Sequence, residues 1–289
     1  MKKIICISFL LIIAASLSAL EIGASFNAGS LNLSPDRKIN DTSISGTDYL
    51  YGVSVFASSP VADNLKLETG LYYDPVLRYS ISALLNYRSD YFQLKAGPFF
   101  GFLNDWDTIL KPGISTEVLV DIPGTVFARL RADSSIGGRI VREGDYLQEK
   151  SILGVGFYIP NAICEVSLTN KTYTEKISSG ERENHFRQYA FSTDIYQKNR
   201  PYRVKLTFAY QTRTLSFIEA TTTEHVLNSL VLGTRLDVKT SDRLDVFFDL
   251  ESNVYSFGEA DDTFIDLADS GIGVYLFTLS AGFRFSIDN

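Results

Sequence analysis

From Glu21 to Ile287 the chain repeats one unit: roughly ten residues with every second side chain apolar, then a turn, about fourteen times over. Period-two alternation over that length is the mark of a β-strand with two unlike faces. The connections alternate as well, tight and then long. An even set of such strands, with short turns at one end and long loops at the other, predicts a closed barrel that crosses a membrane. In lipid every backbone donor and acceptor must be paired within the protein, which a closed ladder achieves. A soluble two-sheet sandwich would turn the apolar rows inward and leave few charges facing its core. Here one row of nearly every strand carries several.

The expected fold class is therefore all-β, a transmembrane antiparallel up-and-down β-barrel of about fourteen strands. Twelve or sixteen remain as alternatives, because the first two strands are rich in Gly and Ser and weakly patterned. Mean hydropathy is only +0.03 and the formal net charge −7, values that look soluble. Barrels give such averages because lipid-facing and lumen-facing residues alternate. Aromatics make up 13% of the chain, with 16 Tyr and 20 Phe, enough for girdles at both interfaces.

The N-terminus reads as an export signal: Lys2 and Lys3, an apolar run from Ile4 to Ala15, then small residues ending at Ala19. Residues 1–19 are expected to be cleaved, leaving 20–289 as a single barrel domain. Cleavage removes two lysines and no acid, so −7 becomes −9, an acidity that argues against a nucleic-acid partner. It also removes Cys6, leaving Cys164 as the one thiol, so no internal disulfide forms.

Turn chemistry marks the tight end: Pro123-Gly124, Pro160-Asn161 and Thr240-Ser241-Asp242. Long connections are expected at Leu33–Asp48, Leu103–Leu110, Ile136–Leu147, Glu175–Asn184, Phe217–Glu224 and Tyr255–Ile272. One connection at that end, Asp74-Pro75, is short. In the third strand Leu65, Leu67, Thr69, Leu71 and Tyr73 share a face. The fourth is read as turning Leu77, Tyr79, Ile81, Ala83, Leu85 and Tyr87 to lipid.

The final alternation, Tyr275, Phe277, Leu279, Ala281, Phe283 and Phe285, resembles the terminal strand of bacterial outer-membrane β-barrel proteins. In that family the strand is read by the barrel-assembly machinery, so the resemblance implies an assembly signal at Tyr275, Phe277, Leu279, Phe283 and Phe285. The family usually ends on an aromatic residue, whereas this chain continues through Ser286 to Asn289. Strand number and length are similar to those of monomeric fourteen-stranded porins. The resemblance implies location in the outer membrane, contact with its lipid, and a monomer.

With the polar rows inward, the pore-lining candidates are Lys95, Arg129, Arg131, Arg203, Lys205, Arg213, Arg235, Asp237, Asp245, Asp249 and Glu251. Asp245, Asp249 and Glu251 form an acidic ladder on strand thirteen, and Arg203, Lys205 and Arg213 a basic ladder on strand eleven. Opposed ladders would set up a transverse field in a pore. The alternative is local pairing, with Glu117 and Asp121 beside the strand-seven arginines and Arg235 beside the strand-thirteen acids. No enzyme is expected. His185 and His225 are the two histidines, both read as loop-end residues. Ser229 is four residues beyond His225, about 13 Å along a strand, too far for a catalytic pair. The acidic stretch Glu259, Asp261, Asp262, Asp266 and Asp269 lacks the spacing of a calcium loop and reads as a solvated surface. No cofactor or metal is expected. The function these features point to is diffusion or uptake of small polar solutes through a hydrated lumen. The alternatives are an adhesin-like interaction barrel without an open pore, and a fatty-acid-type channel for hydrophobic solutes.

Overall fold

The computed structural model describes residues 21–30, 50–102, 111–136, 145–177, 180–197, 199–218, 222–260, 263–265 and 277–287. The strands are β1 Glu21–Ser30, β2 Leu50–Ala62, β3 Leu65–Asp74, β4 Arg78–Arg88 and β5 Phe92–Phe102. Next come β6 Lys111–Ile122, β7 Val126–Ser135, β8 Tyr146–Ile159, β9 Ala162–Ile177 and β10 Gly180–Tyr196. The chain finishes with β11 Tyr202–Ile218, β12 Thr222–Lys239, β13 Leu244–Ala260, the three-residue β14 Thr263–Ile265 and β15 Phe277–Ser286.

Each strand pairs antiparallel with its neighbours, and β15 closes the ring between β13 and β1. Apart from β14, which only extends the end of β13, the ring has fourteen members, as the sequence pattern indicates. Two tight turns show why their residues suit them. Gly124 has φ 75° and Asn161 φ 63°, left-handed conformations that Gly and Asn tolerate best.

Register assigns the faces. Leu130, Leu153, Val155, Phe157, Val166, Phe191, Leu206, Phe208, Leu232, Phe248 and Leu250 are exposed on the outer wall. On β11 the apolar outward row runs from Tyr202 to Tyr210, about 26 Å along the strand. At the barrel tilt typical of such folds this spans about 20 Å of membrane. Inside, aromatic rings lie flat on glycines of the adjacent strand: Phe56 on Gly23, Phe99 on Gly113, Phe127 on Gly156. A Cβ on any of these glycines would come within 2.3 Å of the ring.

Beyond the apolar band the alternation changes phase. The outward positions of β8 to β12 become Ser151, Asn170, Thr172, His185, Arg187, Thr212 and Asn228. They join in polar contacts: Arg187 Nε donates to Asn170 Oδ1 at 2.9 Å, and Thr212 Oγ1 to Asn228 Oδ1 at 2.9 Å. The inward positions at the same height include Tyr146, Tyr173, Phe186 and Leu227, all buried. Here the wall has the polarity of a water-soluble barrel. This inversion corrects the loop boundaries. Glu175–Asn184 and Phe217–Glu224, read as long loops, are largely strand, continuing β9 to β12 past the membrane. Tyr255–Ile272 likewise begins as strand, since β13 runs to Ala260 and β14 covers Thr263–Ile265, and Ile136–Leu147 ends in the first residues of β8. The expected loops Leu33–Asp48 and Leu103–Leu110 lie outside the described residues, as do 137–144, 261–262 and 266–272.

Candidate functional site

The lumen is shaped by the connection between β3 and β4 at the long-loop end. The β2–β3 ladder stops at Val55↔Leu71, and the β3–β4 hairpin then leans over the inner face of β2. Tyr73 N–H donates to Ser54 Oγ at 3.0 Å, and Val53 N–H donates to the Tyr79 hydroxyl at 3.4 Å. The Tyr73 and Tyr79 rings pair at 5.0 Å. Gly52 makes the approach possible, since a Cβ there would stand 2.1 Å from the Tyr73 ring.

The turn itself crosses to the far wall. Asp74 Oδ1 accepts the N–H groups of Val76 at 2.9 Å and Leu77 at 3.2 Å, a side-chain-closed turn of the kind Asp favours. Its other carboxylate oxygen lies 2.8 Å from Lys171 Nζ on β9 and 3.9 Å from Lys150 Nζ on β8. Val76 and Leu77, 2% and 7% exposed, pack in one cluster with Tyr146, Tyr173 and Phe186. Tyr146 and Tyr173 stack at 5.6 Å, and Lys171 Nζ sits 5.0 Å over the Phe186 ring. Leu77 and Tyr79, assigned by the sequence pattern to lipid, therefore lie inside the ring, as does Tyr73. The period-two rule assumes a strand that stays in the wall, and this hairpin leaves it.

The eleven ionisable candidates lie on the inward rows by register, engaged mainly with near neighbours. Lys95 reaches Glu68 across β4 at 3.1 Å, with Asn86 donating to the same carboxylate at 2.6 Å. Arg129 pairs with Glu165 at 2.7 Å, and Lys205 approaches Glu165 from β11 at 3.9 Å. Arg131 binds Asp133 at 2.9 Å and Glu117 at 3.8 Å. Arg203 is held by Asp194. Arg213 donates to Asn184 at 3.2 Å. Arg235 spans Asp237 at 2.8 Å and Asp249 at 3.9 Å while covering the Phe247 ring. Asp245 faces Arg284 in register. Glu251 accepts from Gln188 at 3.3 Å across the lumen.

Asp121, expected beside the strand-seven arginines, instead accepts from the Tyr158 hydroxyl at 2.8 Å. His185 lies within β10 rather than at a loop end, on the outer face with Thr172 Oγ1 3.0 Å from its Nδ1. The side chain of His225 lies outside the described residues, as do Tyr275 of the terminal strand and the acidic residues Asp261, Asp262, Asp266 and Asp269. Phe277, Leu279, Phe283 and Phe285 occupy the outward row of β15.

Sequence reasoning missed Asp74, Lys150 and Lys171. Both lysines lie in the parts of β8 and β9 past the apolar band, where the change of phase hides the strand. The short Asp74-Pro75 connection was the available signal, since a link too short to rise as a loop must bend somewhere.

Cavities follow the interior among the described residues. One of about 920 Å³ opens at the turn end between β1 and β5 and is lined by Glu68, Asn86 and Lys95 among others. A second, about 270 Å³, lies beside Arg129, Glu165 and Lys205. The third, about 330 Å³, lies against the β3–β4 turn, with Lys150, Lys171, Phe186, Arg213 and Glu251 in its walls.

No protein-family model and no curated protein sequence matches the chain. Solved structures do. An outer-membrane channel from Pseudomonas putida F1 superposes with a TM-score of 0.51 at 9% identity, covering 93% of this chain and 96% of that one. The CymD monoaromatic hydrocarbon channel gives 0.50 at 7% identity, covering 94% and 89%. At such identities the likeness is one of fold. Together with the closed ring and the apolar outer band, it gives this chain the fold of a bacterial outer-membrane β-barrel with fourteen strands.

Proposed function

We propose that the barrel is a channel for small polar solutes, narrowed at its loop end by the β3–β4 turn. The observation that carries this reading is the interior. Its ionised side chains are paired around open cavities and are not packed into a solid core. Buried charges are costly without partners and hydration, and a lumen holding this many is suited to water and polar cargo. In this reading Lys95, Arg129, Arg131, Arg203, Lys205, Arg213, Arg235, Asp237, Asp245, Asp249 and Glu251 line the path. Residues 1–19 are removed on export, and the β15 aromatic row is presented to the assembly machinery.

Planar-bilayer recording of the refolded protein tests it. Discrete conductance steps are expected, altered in ion selectivity when Arg129 and Arg131 are replaced by Glu. A correctly folded barrel that never conducts overturns the proposal. It would favour a closed interaction barrel, the reading to which the buried Val76 and Leu77 lend support.

A further inference from the structure

We infer that the 330 Å³ chamber against the β3–β4 turn is a binding site for a small zwitterion, a solute carrying one carboxylate and one ammonium on a compact apolar body. The inference rests on the channel reading and names the class of solute that pauses in the path.

The chamber has two poles of opposite sign. Lys150, Lys171 and Arg213 supply the cationic pole from β8, β9 and β11. Lys171 is committed to Asp74 at 2.8 Å, but Lys150 stands 3.9 Å from that carboxylate, beyond direct hydrogen bonding. An ammonium has three donors, so Lys150 retains capacity for an incoming carboxylate. Glu251 on β13 supplies the anionic pole. Among the described residues, the hydrogen bond given to its carboxylate is the one from Gln188 Nε2 at 3.3 Å. A carboxylate can accept about four, which leaves room for an ammonium. Phe186 and Val76 add apolar atoms to the same lining. The volume is at the small end of the roughly 300–1,000 Å³ common for ligand pockets. A simple anion would meet Glu251, and a simple cation would meet the lysines. A solute bearing both charges satisfies both walls and desolvates neither without compensation.

The test is calorimetric titration of the refolded barrel in detergent with three probes of matched size: leucine, 4-methylpentanoate and 3-methylbutylamine. Leucine is expected to bind about tenfold or more tighter than either single-charge analogue, the effect of one charge-assisted hydrogen bond. Glu251→Gln, on the wall away from the turn, should weaken leucine to the level of 4-methylpentanoate and leave the latter unchanged or improved. Lys150→Gln should instead weaken leucine to the level of the amine. Equal binding of all three probes, no binding of leucine, or indifference of leucine to Glu251→Gln overturns the inference. Conductance of the same preparation separates the two ideas. Conductance without leucine binding sinks the zwitterion site alone, whereas leucine binding without conductance supports the site and sinks the channel.

Discussion

Replacing Leu77 by alanine should undock the β3–β4 turn without unfolding the barrel. Val76 and Leu77 are 2% and 7% exposed in their cluster with Tyr146, Tyr173 and Phe186, and burying such side chains stabilises by about 1.5–3 kcal/mol each. Against this stands the ordering of a short turn, about 1–2 kcal/mol per residue, so the docked state is favoured by only a few kcal/mol. A buried Leu→Ala change costs about 2–5 kcal/mol. Even the lower bound shifts the docked-to-undocked ratio by more than tenfold, since each 1.4 kcal/mol is a factor of ten. The loss is local because Leu77 belongs to the turn between β3 and β4, outside the strand ladders that close the ring. Hydrogen exchange reads it directly, through the Val76 and Leu77 amides that donate to Asp74. Both should exchange at least tenfold faster in Leu77→Ala, with strand amides of β8 and β9 unchanged and single-channel conductance raised. Unaltered exchange at these two amides would refute the docking argument. Acceleration of the whole barrel in step would show that the turn is part of the global fold and not a separable latch.

Other expectations follow from the same geometry. Gly52→Val places a Cβ where the Tyr73 ring lies, so it should displace the hairpin and raise conductance as Leu77→Ala does, read in planar bilayers. Leu206→Arg, at the centre of the exposed Tyr202–Tyr210 row, should destabilise the barrel by about 2–4 kcal/mol. Thr214→Arg, outward on the same strand among the polar positions past the apolar band, should cost under about 0.5 kcal/mol; urea unfolding from lipid vesicles compares the two. Arg129→Gln removes the 2.7 Å partner of Glu165 and leaves Lys205 at 3.9 Å. A reversal-potential shift towards cations is expected, and Glu165→Gln added to it should restore most of the original selectivity.

The terminal row Phe277, Leu279, Phe283, Phe285 and the turn pairs Pro123-Gly124 and Pro160-Asn161 were legible because their meaning is local. Alternation tells which side of a strand meets lipid, and Gly or Asn tells where the chain can reverse. Lys150 and Lys171 were illegible for the converse reason. Their strands continue past the membrane, where water replaces lipid outside the wall and an apolar cluster replaces water within it. The rule that apolar means outward then points the wrong way. Asp121 was placed beside arginines by strand adjacency, yet its partner is a tyrosine on β8 two strands away, a choice made by side-chain reach across a curved wall.

By itself the sequence determined that the chain closes into a ring of about fourteen strands, with oily residues outside and ionised residues within. Hydrogen-bond closure and the period of two admit few other solutions for such a pattern. Tertiary structure alone decided what occupies the ring. The lean of one hairpin over Gly52, the Asp74 bridge to Lys171 and the chamber beside it join residues about a hundred positions apart, and no periodicity along the chain encodes contacts made across a lumen.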